Sequence, residues 1–113
     1  MNVKIKNILE HMFEDASDIA LFTQKLKNAV ELSENRLYRK AIVMSILNIG
    51  ELVKNLPDNF KQLHNNIPWK KIMAMRNIAA HGYHVMDDDI IWDVATQSIP
   101  ELLRFLETQL NPS

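Results

Sequence analysis

Between residues 38 and 56 the apolar side chains Tyr38, Ile42, Ile46, Ile49, Val53 and Leu56 recur every three or four positions, which places them on one stripe of an α-helix. Leu37, Ala41, Val43, Met44, Leu47 and Leu52 widen that stripe well beyond a single face. A helix of this kind is buried on more than one side. It is either the central helix of a bundle or a helix whose second face meets another copy of the chain, and both can hold together. Hydrophobic residues make up 47% of the chain and glycines number only two, which favours packed helices over turn-rich β structure.

The same period runs through the rest of the sequence. Ile5, Ile8, Leu9, Met12, Phe13, Ala16, Ile19, Ala20 and Phe22 predict a first helix over about 2–26. The polar run Ser33, Glu34, Asn35 interrupts the pattern, and the second helix follows over about 34–55. Pro57 and Asp58 stop it and start a short turn through His64, with Asn65 and Asn66 as loop. Pro68 suits the first turn of a third helix over 68–81, because its missing N–H is no loss there. Gly82 is a good terminator because it tolerates a left-handed backbone. Asp87, Asp88 and Asp89 stand where a fourth helix, about 88–110, begins, so their carboxylates can cap free N–H groups. Pro100 falls inside that last pattern. Ser98 and Glu101 have the spacing of a capping box, which predicts a kink or restart there. The chain therefore reads as a single all-α domain spanning residues 1–113, an antiparallel helical bundle without repeats or low-complexity segments.

Charge and composition exclude several classes. A net charge of −1 lacks the basic bias of proteins that hold nucleic acid by bulk electrostatics, so any such contact must be local. With no cysteine there is neither a disulfide framework nor a thiolate zinc site, which suits a reducing cytoplasm. The start of the chain has no uninterrupted apolar run and no small-residue cleavage site, which argues against a signal peptide. Nothing approaches the ~20 apolar residues needed to span a membrane.

The residues suited to chemistry lie between Arg76 and Tyr83, RNIAAHGY. Arg76 is a permanently charged fork that matches phosphate oxygens, and His81, five residues on, is the side chain best suited to moving protons near neutral pH. Five residues turn an ideal helix through roughly 500°, which leaves the two about 140° apart. Convergence then requires the arginine to reach round, the helix to loosen near Gly82, or a symmetric partner to bring up a second pair. Asn77 adds an amide able to orient a phosphate or the histidine, and the Tyr83 hydroxyl is a ligand contact or a modification site.

The string IPWKKIMAMRNIAAHGYHVMDDDIIWDVATQSIPELLRFLETQL resembles the C-terminal half of HepT-like proteins, a branch of the HEPN superfamily. The likeness includes the I-P-W opening, the M-R-N step, H-G-Y, the aspartates, I-W-D and the P-E-L-L close. It extends more faintly to RLYRKAIVMSILNIGELVKNLP with its I-G-E step, so it covers residues 36 to 110. The resemblance implies a dimeric HEPN-type bundle in which two Arg-x4-His motifs face a shared cleft. It implies a metal-independent endoribonuclease toxin, with no cofactor and with RNA as substrate. The partner it implies is a minimal nucleotidyltransferase antitoxin. Carried onto this chain, Arg76 and His81 are the catalytic pair, Asn77 supports them, and Tyr83 is the candidate for adenylylation. The alternative is a non-catalytic module of the same fold that binds a nucleotidyltransferase or a nucleotide.

Other polar residues carry weaker expectations. His81, His84 and Asp87 can be written as a metal site, although they follow a glycine that should end the helix. His11 and His64 read as surface histidines. Arg36, Arg39 and Lys40, with Lys70 and Lys71, read first as solvated helix faces; alternatively these charges, Arg36 and Lys40 foremost, guide RNA into the cleft or contact an acidic partner. Glu51, in the I-G-E step, is placed to pair with Arg76 or a lysine across the bundle.

Overall fold

The computed structural model describes residues 2–82 and 85–111, which are helical apart from their connections and contain no strand. Helix α1 spans Val3–Thr23 and buries Ile8, Leu9, Met12, Ala16 and Ile19. Its N-terminus is capped by Asn2, whose side-chain oxygen accepts from Lys4 N at 2.7 Å. It ends three residues before the expected limit. Lys25 N and Leu26 N bond to the carbonyls three residues back, tightening the chain out of the helix.

A short helix α2, Ala29–Glu34, then follows where the sequence reading had only an interruption. Its start is fixed by a reciprocal cap: Glu31 N donates to Asn28 Oδ1 at 2.9 Å, and Lys27 N donates to Glu31 Oε1 at 3.1 Å. Asn35 closes α2 and opens α3, Arg36–Lys54, by accepting from Tyr38 N at 3.0 Å. The expected central stripe is the buried one, and Ile42, Ile46, Ile49 and Val53 are essentially inaccessible. Leu37 and Met44, counted above as widening it, are instead exposed, at 78% and 46%.

Helices α4, Asp58–Leu63, and α5, Trp69–Gly82, come next. α5 runs antiparallel to α3. Gly50 lies against Arg76, while Arg39 near the start of α3 reaches Met86 and Asp88 beyond the end of α5. α3 thus packs between α1 and α5. Gly82, the last residue of α5, has φ 155°, a conformation that L side chains rarely adopt, so it serves as the terminator expected of it.

The last segment is one continuous helical run in three parts: α6, Asp88–Asp93, a π-helical turn, Val94–Ser98, and α7, Ile99–Leu110. Asp87 caps it, accepting from Asp89 N at 2.8 Å. The wide turn ends just before Ile99 and Pro100. Proline has no N–H and its ring crowds the carbonyl four residues back, so opening the ladder there relieves the clash without breaking the helix. The capping box expected of Ser98 and Glu101 does not form. Ser98 keeps helical angles, φ −72° and ψ −41°, and makes no cap hydrogen bond, because an unbroken helix offers it no free N–H group.

Two further expectations are corrected. Arg39 is no solvated side chain: its Nε donates to Asp88 Oδ1 at 2.5 Å and a terminal nitrogen to Met86 O at 3.0 Å, which ties α3 to the start of α6. His64 is half-buried, with Phe60 and Phe105 at 4.7 and 4.9 Å between ring centroids, and its carbonyl accepts from Trp69 Nε1 at 3.0 Å. Polar neighbours in sequence concealed an aromatic cluster assembled by α4, α5 and α7. His11 is exposed as expected. No helix is long and apolar enough to cross a membrane among the described residues.

Candidate active site

α5 buries Trp69, Ile72, Met75 and Ala79 and turns Lys70, Ala74, Asn77 and His81 to solvent. Arg76 sits at the edge between these faces, its side chain 26% exposed, where α5 meets α3. The close approach depends on Gly50. A Cβ there would collide with Arg76 Cβ and stand 2.7 Å from its Cγ. Sequence reasoning noted the I-G-E step but not this role. A lone glycine in the middle of a strongly patterned helix was the available signal.

Once α5 is that close, Glu51 meets the guanidinium. Arg76 Nε donates to Glu51 Oε1 at 2.6 Å, and a terminal nitrogen contacts the same oxygen. Of the two partners left open for Glu51, the fold selects the arginine. The other terminal nitrogen donates to Asn77 Oδ1 at 3.1 Å. A guanidinium carries five N–H donors, so at least two stay available for an anion.

His81 is exposed near the end of α5, whose backbone departs from helical angles at Gly82, φ 155°. That departure follows both candidates in the chain, and no hydrogen bond links Arg76 to His81 among the described residues. Asn77, which accepts from the guanidinium, lies four residues before His81 and so on nearly the same face of α5.

The remaining candidates are dispersed. Arg36 and Lys40 are exposed on α3, and Lys40 stands ten residues, roughly 15 Å, from Gly50 along the axis. Lys71 pairs with Asp93 at 2.7 Å. Tyr83 and His84 lie outside the described residues, and Asp87 is engaged as a helix cap. Among the described residues, His, Asp and Glu side chains do not gather in threes to hold a metal ion. Beside Asn77 a cleft of about 660 Å³ opens between α4 and α5; neither Arg76 nor His81 lines it.

Comparison with known proteins gives a consistent picture. The family described as "Ribonuclease HepT-like" matches residues 5–109. The chain is 34% identical to "Putative RNase TTE0752" of Caldanaerobacter subterraneus subsp. tengcongensis, over 83% of each chain. It is 32% identical to "Probable ribonuclease HepT" of Thermococcus cleftensis, over 86% of this chain and 87% of that one. With "Putative RNase MJ1380" of Methanocaldococcus jannaschii it shares 27% identity over 91% of this chain and 94% of the other. No solved structure gives a significant match.

Proposed function

The chain belongs to the ribonuclease HepT-like family, and from that premise we propose that it is a metal-independent endoribonuclease whose catalytic pair is Arg76 and His81. The observation that carries this reading is the guanidinium held between Glu51 and Asn77, with donors to spare, on a helix whose adjacent face presents His81. In the reaction we infer, a ribose 2′-oxygen attacks the adjacent phosphorus while His81 takes its proton. The bond to the 5′-oxygen breaks, and that oxygen leaves with a proton from a second imidazole or from water. Arg76 offsets the charge that builds on the non-bridging oxygens. The products are a 2′,3′-cyclic phosphate and a 5′-hydroxyl.

The site is half of a functional one in this reading. Two copies of α5 facing each other would place two Arg76/His81 pairs along one RNA strand. The exposed Leu37 and Met44, in line with Glu51 on α3, support an apolar contact between copies beside the site. Arg36 and Lys40 then guide the strand. The family resemblance further supports a toxin role with a nucleotidyltransferase antitoxin that modifies Tyr83. A bulky anionic nucleotide next to Gly82 would block the cleft and repel phosphates. Intact-mass measurement after coexpression tests that part: an added nucleotide that disappears in Tyr83→Phe is expected, and no addition removes it.

The central test is cleavage of single-stranded RNA by purified protein with chelator present. His81→Ala should lower the rate about 100-fold or more and, because His81 is exposed, leave the unfolding free energy within about 0.5 kcal/mol. An unchanged rate refutes the assignment. Binding of RNA or nucleotide without any cleavage by the wild type would favour a non-catalytic module.

A further inference from the structure

We propose that the cleft between α4 and α5 is a subsite for one nucleotide of the RNA strand, its base against the apolar walls and its phosphate beside Lys70. This rests on the ribonuclease reading and extends it to how the substrate is held away from the scissile bond.

The geometry of α5 sets the path. Lys70, Ala74, Asn77 and His81 follow one another at four, three and four residues, so they form one row along the exposed face. Lys70 stands roughly 16 Å from His81 along the axis, a span that a few nucleotides cover. Lys70, Ala74 and Asn77 are at the same time the α5 wall of the cleft. A strand leaving the catalytic pair along this row passes over the opening.

The cleft suits a base. Its other walls include Pro68 and Met73, half-buried apolar surfaces for the flat faces, backed by the buried Val53 and Ile67, while the amides of Gln62 and Asn65 can meet polar edges. Its volume of about 660 Å³ lies within the roughly 300–1,000 Å³ of small-molecule sites. Trp69 forms part of the floor, held by its indole N–H on the His64 carbonyl at 3.0 Å. Charge points the same way. Asp58, the one carboxylate on the wall, lies 3.6 Å from Lys61, whereas Lys70 forms no ion pair among the described residues. The uncompensated charge is therefore a cation at the rim, matching a phosphate.

The test measures anisotropy of a labelled single-stranded RNA dodecamer bound to full-length His81→Ala protein, which keeps the RNA intact. Ala74→Trp, which fills the cleft from an exposed position, should weaken binding about tenfold, the loss expected for one unstacked base. Lys70→Ala should weaken it several-fold and reduce the slope of log affinity against log salt by about 0.7. Circular dichroism checks that both variants fold, and Lys70→Ala, on the solvent side, tests the path even if Ala74→Trp does not. Affinities within twofold of the parent for both variants would overturn the proposal. So would equal competition by the same sequence as duplex, or absence of RNA binding by the parent. If cleavage depends on His81 but ignores both cleft variants, the subsite is wrong and the nuclease stands. If the cleft variants lose RNA binding while the wild type cuts nothing, the nuclease reading falls and the subsite stands.

Discussion

Arg76 shows how a fold sets the direction of one long side chain. Glu51 takes one edge of the guanidinium and Asn77 another, so in the proposed reading its direction is set before any phosphate arrives. Glu51→Gln weakens that hold without removing it, and we expect cleavage to fall about tenfold, near 1.4 kcal/mol in the transition state. Stability should change by less than about 1 kcal/mol, because Glu51 is half-exposed. Denaturant unfolding and single-turnover cleavage on the same preparation check both halves. A second carboxylate, Asp15 on α1, is the opposite case. Burial lifts its pKa above the ordinary carboxylate value, the hydrogen bond with Asn48 opposes this, and the nearby Asp18 and Glu14 raise it further. A folded-state pKa raised above the unfolded one means that the native state binds the proton more tightly. Stability is then lost as pH rises through these values, and the cost is complete at neutral pH. Asp15→Asn should therefore stabilise the protein at pH 7, by under about 1 kcal/mol given its partial exposure. That gain should shrink as pH falls through the raised folded-state pKa and be largely gone below the ordinary value of 3.8, which urea midpoints across the range would show.

Helices α3 and α5 approach each other so closely only because residue 50 has no side chain. Gly50→Ala puts a methyl group into Arg76 Cβ, and that carbon, fixed to the backbone, cannot swing aside. The helices must separate, and overpacking of this kind costs about 1–3 kcal/mol. We expect a lower unfolding midpoint together with a loss of cleavage larger than the stability change explains, since Arg76 is carried away from Glu51. Stability lost with full activity in the folded fraction would show that the close approach serves packing alone. The π-helical turn at Val94–Ser98 is a second local adjustment. It lets a proline-containing segment remain one helix, and so keeps Ile91, Ile99, Leu102 and Leu106 on a common buried surface.

A single protomer presents one arginine and one histidine on adjoining faces of an exposed helix, open to water on one side. The proposed dimer supplies what this lacks: a walled cleft and a second pair. Coexpressing Arg76→Ala and His81→Ala chains tests whether the pairs are shared. If one site draws Arg76 from one copy and His81 from the other, mixed dimers recover about half of the wild-type rate per dimer, while each variant alone is inactive. No recovery, with dimers confirmed by light scattering, would place each pair within its own chain. A monomer that cleaves at the wild-type rate would remove the shared cleft.

Much of this was legible in the sequence, because helical period and caps are local. The stripe through Ile42, Ile46, Ile49 and Val53, the termination at Gly82 and the cap at Asp87 follow from side chains a few residues apart, and each matches the structure. The family and the Arg76/His81 candidates were likewise readable as an ordered string. What the sequence could not reveal is what depends on distant residues meeting. The partner of Glu51, the closeness that Gly50 permits, the Arg39–Asp88 tie and the aromatic company of His64 are pairings made across the bundle. Ser98 failed as a cap for the same reason: the packing of the π-helical turn and α7 against α1 favoured a continuous helix over a local signal. The amino-acid order by itself determined a helical domain and the family to which it belongs. Only the tertiary structure decided which way Arg76 points, because a flexible side chain takes its direction from the groups that surround it.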